Sequence, residues 1–295
     1  MKKVIICGLG AVGTTFASKF LNSKRCELKI LADKGRIEKY MKFPPELNGK
    51  KLEFEYVFPE QKGYNADLII ICTKYQGLKS ALSYIKNFVT GNTRVLSLIN
   101  GISSEEIIKS KYPQAKVLKS YFIGHSAVRE GNSVTQDGVG KIVCENDSAV
   151  EEIFTDSGID YEFPSDIDYN MWLKFTLNLF SNQTSAILKM TFGEMKNNKN
   201  FISFAKKIIN EVYLIAKKSG LKNLKLLEAD ALKALGMMCD EGKTSMLQDI
   251  ISGRPTEVDI FAGEVIRLGK LYGVQTPYNQ VLYDLIKIEE ERVCK

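Results

Sequence analysis

Residues 2–21, KKVIICGLGAVGTTFASKFL, limit the folds open to this chain more than any other stretch. Val4-Ile5-Ile6 is a β-branched run of the kind that forms a buried strand. Gly8-Leu9-Gly10-Ala11-Val12-Gly13 follows at once, and Val12, Phe16, Phe20 and Leu21 then recur at helical spacing. Strand, glycine turn and helix in immediate succession is the setting in which G-x-G-x-x-G acts as a dinucleotide cradle. There Gly8 permits the tight turn, Gly10 lets backbone amides approach a pyrophosphate, and Gly13 lets helix and strand pack closely. Leu9, Ala11 and Val12 supply the intervening backbone. The phosphates sit at the helix N-terminus, where N–H groups and the dipole favour anions. The stretch predicts a Rossmann-type α/β domain at the start of the chain.

A second apolar stretch, CELKILA, leads to Asp33, twenty residues past Gly13. An acid there is placed to accept a hydrogen bond from the ribose 2′-OH of NAD(H). Lys34 and Arg36 follow and are placed to clamp the 2′-phosphate of NADP(H) instead. The cues conflict, because a carboxylate repels a phosphate unless it turns away. ADLIIICTKYQG suits a strand buried on both faces of a parallel sheet, and it ends in Thr73-Lys74. TRVLSLINGIS repeats the plan, with a strand over Val95 to Ile99 and then Asn100-Gly101. Ligands of open α/β sheets bind beyond the carboxyl ends of the strands, so Lys74 and Asn100 are candidate ligand contacts. Ordinary loop polarity is the competing account. From about residue 115 short strands alternate with Arg-Glu-Gly-Asn and Gln-Asp-Gly-Val-Gly, which predict antiparallel additions to the sheet edge. His125, the one histidine, lies here and reads as structural.

The totals narrow the class of partner. A chain of 295 residues suits two domains or one large one. Its net charge of +6 is mild, and no basic block or aromatic–basic interleaving occurs, so nucleic acid is not an expected partner. The six cysteines make no C-x-x-C pair and no zinc spacing, so no metal is expected. Cys7 and Cys72 sit in apolar runs as small hydrophobes, in keeping with a reducing, cytoplasmic setting. The opening MKKVIICGLGAVG has the lysines of a leader peptide, but glycines break its short apolar run. No stretch approaches the roughly 20 apolar residues that span a bilayer, so no membrane partner is expected.

After GIDYEFPSDIDYN the strand signals cease, which sets a boundary near residue 165. Ser165, Asp166 and Asp168 are good caps for the helix that follows. That helix, MWLKFTLNLFSNQTSAI, carries Lys174, Asn178 and Asn182 at i, i+4 and i+8, stacked on one face among Trp172, Phe175, Leu179 and Phe180. The stripe is either a solvated edge or a polar strip lining a cleft. NFISFAKKIINEVYLIAKKSG, NLKLLEADALKALGMM and TEVDIFAGEVIRLGKLYG are further amphipathic helices, the first closed by Gly220 and the third by Gly273. Ser245 and Asp249 are i and i+4 on a short helix. Glu257, three residues after Arg254, is either half of a local ion pair or an acid in a helical first turn.

Taken together, GLGAVGTTFA, CTKYQ, INGISSEE, the REGN hairpin, WLKFTLNLFSNQTSAI and TSMLQDIISGRPTEVDIFAGEVIRLGKLYGVQTPYN make the whole chain resemble the ketopantoate reductase (2-dehydropantoate 2-reductase) family. The last piece is the most specific. The resemblance implies a Rossmann domain joined to a helical domain, with the site between them. It also implies reduction of 2-dehydropantoate to (R)-pantoate with NADPH, on the route to pantothenate and coenzyme A. Carried over by position, Lys174 resembles the catalytic lysine that bonds the keto oxygen and acts as acid, and Glu257 the glutamate that assists it. Asn178 and Asn182 fall on asparagines of the substrate pocket, and Ser245 on the serine that binds the substrate carboxylate. Lys74 and Asn100 fall on residues that meet cofactor and substrate, and Asp249 on a structural acid. The chain departs from the pattern at the ribose, where family members often have a basic residue in place of Asp33. NADP(H) is the favoured cofactor, and Asp33 keeps NAD(H) open.

The expected organisation is an α/β Rossmann-type N-terminal domain over residues 1–165 and an all-α C-terminal domain over 166–295. The expected partner is a small keto acid, and the helical half can support a homodimer. Two alternatives stand beside the first reading: a reductase of another 2-keto acid, and a dinucleotide-binding protein without catalysis. Lys174, Asn178, Ser245 and Glu257 occurring together argue against the latter.

Overall fold

The structure is a computed structural model that describes residues 1–124 and 126–294; His125 lies outside the described residues. The chain forms two compact units, Met1–Ile167 and Asp168–Lys295.

The first unit is built on a parallel sheet of β1 (Lys2–Cys7), β2 (Cys26–Leu31), β5 (Glu55–Val57), β6 (Leu68–Ile71), β7 (Arg94–Ser97) and β8 (Lys116–Leu118). Their order is β5-β2-β1-β6-β7-β8, with every pairing parallel. Val4 to Cys7 and Leu68 to Ile71 are buried without interruption, which explains why these runs are apolar at every position rather than at alternate ones. Burying each such side chain is worth roughly 2 kcal/mol. The accompanying helices are α1 (Ala11–Phe20), α2 (Lys34–Lys42), α3 (Leu78–Tyr84), α4 (Ser104–Lys111) and α5 (Ser148–Ser157). Phe16 and Phe20 of α1 enter the core formed with β1, β2 and β6. The strand predicted over Val95 to Ile99 ends at Ser97; Leu98 and Ile99 stay buried while the chain turns through Gly101, whose φ is +101°.

The residues beyond 115 correct the expectation of antiparallel additions to the main sheet's edge. β8 joins that sheet in parallel. Next, Ser120 Oγ accepts from the Ser97 amide and donates to the Ser97 carbonyl, both at 3.0 Å. A side chain thus occupies the backbone groups a further ladder pair would use, and β9 (Ser120–Ile123) enters another sheet with β12 (Lys141–Cys144) and β13 (Asp160–Glu162). β10 (Ser126–Glu130) and β11 (Ser133–Asp137) do form an antiparallel hairpin. It pairs in parallel with β3 (Glu46–Leu47), which pairs with β4 (Lys50–Lys51), and this third sheet packs on α1.

The second unit is helical: α6 (Ile167–Leu188), α7 (Phe192–Lys196), α8 (Lys199–Lys218), α9 (Leu227–Gly236), α10 (Ser245–Ile251), α11 (Ala262–Tyr272) and α12 (Pro277–Val293). TEVDIFAGEVIRLGKLYG is not one helix as predicted. A 3₁₀ turn over Val258–Ile260 is followed by Phe261 at φ −102° and ψ −95°, outside helical values, and α11 starts afresh. The buried Glu211 of α8 accepts from the amides of Tyr278 and Asn279 and from Asn279 Nδ2, so it holds the N-terminus of α12. Among the described residues no helix is long and apolar enough to cross a membrane.

Candidate functional site

The candidate dinucleotide half lies in the first unit. The strand order reverses direction at β1, with β2 on one side and β6 on the other, and that is where open α/β sheets bind ligands. The glycine turn leaves β1 there. Gly8 has φ +105°, and a Cβ on it would lie 3.0 Å from the Cys72 carbonyl carbon and oxygen. A Cβ on Gly13 would lie 1.9 Å from the Gly8 oxygen, so the helix rests directly on the turn's backbone. Gly10 differs: its Cβ would meet only the Cys72 oxygen, at 3.9 Å. Gly10 is also the N-cap of α1, where no side chain caps the helix and no acid stands in the first turn. Leu9 is buried, and Ala11 and Val12 are half-buried. An uncapped helix N-terminus with open space at the glycine fits a phosphate. Beneath the turn, Thr73 Oγ1 is buried and has no hydrogen-bond partner among the described residues. These features fit a dinucleotide.

Lys74 and Asn100 follow the carboxyl ends of β6 and β7, which share the edge of the parallel sheet that carries the glycine turn. Lys74 is exposed at the start of the 3₁₀ turn Tyr75–Gly77, and Asn100 is half-buried beside Gly101.

At the ribose position, Asp33 has a local task that was read past in the sequence. It is the N-cap of α2, with Oδ1 accepting from the Arg36 amide at 2.9 Å. Tyr84 donates its hydroxyl to Oδ2 at 3.2 Å, and the Arg36 Nε lies 3.4 Å from the same oxygen. Lys34 is exposed and pairs loosely with Glu38, at 3.9 Å. The missed signal was the helical run Ile37, Tyr40, Met41 directly after Asp33, which marks the aspartate as a cap.

The second unit carries the remaining residues. Lys174 and Asn178 are half-buried on α6, and Asn182, one turn further on, is 4% exposed. Thr176, Ser181 and Gln183 each donate to the carbonyl four residues back on their own helix. Among the described residues the amides of Asn178 and Asn182 have no hydrogen-bond partner. Thr184 Oγ1 and Gln183 Oε1 of the same helix are buried and likewise lack a partner among the described residues, and for the asparagine amides a polar ligand is the natural complement. The rest of the helix is fixed by rings: Trp172 against Phe175 edge-on at 6.0 Å, and Phe180 against Phe201 at 6.2 Å.

Glu257 is half-buried at the start of the 3₁₀ turn Val258–Ile260. The partner of Arg254 is Asp249, its Nε lying 2.9 Å from Oδ1, which decides against a local Arg254–Glu257 pair. Asp249 is buried and also receives the Arg254 amide on its carbonyl, so it fastens the end of α10. Ser245, the first residue of α10, is exposed, and the cap is the neighbouring Thr244, whose Oγ1 accepts from the Leu247 amide.

Comparison with known proteins bears on both units. The family described as ketopantoate reductase PanE/ApbA matches residues 4–148, and its C-terminal counterpart matches residues 166–290. The chain belongs to the ketopantoate reductase family. The 2-dehydropantoate 2-reductase of Pyrococcus horikoshii is 30% identical over 236 residues, 77% of each chain. That of Aquifex aeolicus is 26% identical over 307 residues, 98% of this chain and 97% of the relative. A D-mandelate dehydrogenase solved with NADH and anilino(oxo)acetate superposes with a TM-score of 0.86 at 25% identity, covering 99% of both chains. This chain and that D-mandelate dehydrogenase thus share one architecture, with this chain showing an α/β Rossmann-type unit followed by a helical one.

Proposed function

We propose that this family member is a 2-dehydropantoate 2-reductase that forms (R)-pantoate, with NADP(H) as the favoured cofactor. The observation that carries the reading is the α6 stripe, where Lys174 precedes two asparagine amides without partners among the described residues. When bound, the nicotinamide supplies a hydride to the keto carbon of the substrate. Lys174 donates a hydrogen bond to the keto oxygen, stabilises the charge that develops on it, and gives it the proton that completes the alcohol. Glu257 assists by orienting the ammonium. Asn178 and Asn182 hold the substrate's hydroxyl and carboxylate without adding charge, and Ser245 donates to the carboxylate. Gly8 to Gly13 and the N-terminus of α1 hold the pyrophosphate, with Lys74 and Asn100 contacting cofactor and substrate. For the ribose, Asp33 is engaged as a cap, and the exposed Arg36 guanidinium and Lys34 ammonium, each in only a loose ion pair, turn to a 2′-phosphate.

The likeness to D-mandelate dehydrogenase with NADH, together with Asp33, favours a second reading: a reductase of another 2-keto acid that uses NADH. Steady-state kinetics on 2-dehydropantoate and on aryl 2-keto acids, each with NADPH and NADH, separates the two. Turnover of 2-dehydropantoate with NADPH is expected to exceed the other combinations. No turnover of 2-dehydropantoate with either cofactor sinks the first reading.

A further inference from the structure

The REGN hairpin reaches back to the glycine turn. Arg129, on β10, donates from Nη1 to the carbonyl oxygen of Leu9 and from Nε, at 2.9 Å, to the carbonyl of Gly131 in its own hairpin. The guanidinium therefore bridges two turns that lie 120 residues apart along the chain. Its base is firm, because Val134, directly across the hairpin from Arg129, is fully buried and the hairpin packs on α1. Among the described residues Arg129 has no carboxylate partner. A half-buried cation is thus spent on two carbonyls, one of them in the glycine turn.

That carbonyl is the one that matters for a phosphate. The Leu9 C=O and the Gly10 N–H belong to the same planar trans peptide and point in opposite directions. Holding the oxygen on one side aims the Gly10 N–H to the other, beside the uncapped end of α1. A charged donor on the oxygen also polarises the peptide, which strengthens its N–H as a donor to an anion. Gly10 itself has neither a side chain nor close neighbours to fix that peptide plane.

Resting on the dinucleotide-binding part of the proposed function, we infer that Arg129 is a positioning residue for the cofactor pyrophosphate, acting through the Leu9–Gly10 peptide. It goes beyond the motif, since the glycines shape the turn and Arg129 sets the direction of its donors.

The test is fluorescence titration with NADPH and NADH of the full chain and of two variants, Arg129→Gln and Arg129→Lys, with thermal melting as the check on folding. Arg129→Gln is expected to weaken dinucleotide binding on the order of tenfold, the size of one lost charge-assisted hydrogen bond. Arg129→Lys, which restores a charged donor, is expected to recover most of that loss, whereas a general loosening of the hairpin would not respond to the charge. Arg129→Gln binding within about twofold of the unaltered chain, or Arg129→Lys as weak as Arg129→Gln, overturns the inference. If Arg129→Gln does not fold, hydrogen exchange on the unaltered chain decides. NADPH should protect residues 8–13 and 126–137 together, and protection of the turn alone overturns the inference. An unaltered chain that binds neither dinucleotide fails the functional reading itself.

Discussion

Phe175 stacks on Phe261, with ring centroids 6.2 Å apart and planes 17° from parallel. One ring follows Lys174 on α6; the other lies four residues after Glu257, at the break before α11. The stack pins together the two segments that hold the proposed acid and its carboxylate, although 83 residues separate Lys174 from Glu257 in sequence. Lys174→Ala is expected to lower kcat by about 10²- to 10⁴-fold, the range of a lost general acid, and to leave NADPH binding intact. Glu257→Gln is expected to be milder. Steady-state kinetics with a separate cofactor titration measures both, and a near-normal kcat in Lys174→Ala removes the lysine from the mechanism.

The glycine turn predicts opposite behaviour for two similar substitutions. Gly13→Ala drives a methyl into the Gly8 carbonyl and should cost about 3 kcal/mol, a fall in Tm of roughly 10 °C. Gly10→Ala meets nothing closer than 3.9 Å and should melt like the parent while binding NADPH far more weakly. Differential scanning calorimetry beside fluorescence titration separates them. Equal stability of the two variants contradicts the packing described.

Arg36 carries the cofactor preference in the proposed reading. Arg36→Ala should reduce the ratio of kcat/KM for NADPH over NADH by about tenfold, the effect of one charge-assisted contact to a 2′-phosphate. An unchanged ratio places the phosphate elsewhere, or speaks for NADH as the natural cofactor.

Glu105 gives the fold a pH dependence. It is 8% exposed at the start of α4, with Ser104 donating to one oxygen at 2.9 Å and the other lacking a partner among the described residues. Burial pushes its carboxyl up to about 7, against the opposing effects of the Ser104 hydroxyl, backbone amides and the Lys119 charge. Below the unfolded value of 4.5 both states hold the proton, and stability is greatest. Between that value and about 7 only the folded state keeps it, so stability falls as pH rises, by about 3 kcal/mol in all. Glu105→Gln should flatten this part of the profile. Melting curves from pH 4 to 8 test it, and identical slopes for variant and parent refute the assignment.

Legibility in the sequence followed the range of the interactions. The glycine turn and the buried strands could be read because their causes are adjacent residues: β-branched runs, then glycines, then helical spacing. The α6 stripe was legible for the same reason, since three polar residues at i, i+4 and i+8 share a face whatever surrounds them. The capping task of Asp33 was not read because one carboxylate fits both a ribose and a helix cap, and its contact with Tyr84 comes from 51 residues further on. Arg254 was set beside Glu257 by proximity in sequence, while its partner, Asp249, was five residues back on the other side. The break at Phe261 leaves no trace in apolar periodicity. The third sheet was invisible because it joins two-residue strands near position 50 to a hairpin some 80 residues later.

That late closure has a consequence for how the molecule comes into being. A ribosome that has delivered the first 120 residues has supplied every strand of the six-stranded sheet, yet the glycine turn still lacks its arginine brace, and Glu46–Leu47, paired with Lys50–Lys51, still lacks its neighbour on the other side. Nascent protein at that stage owns the outline of a nucleotide fold without its grip, and any excised fragment that stops before residue 137 should share the same defect.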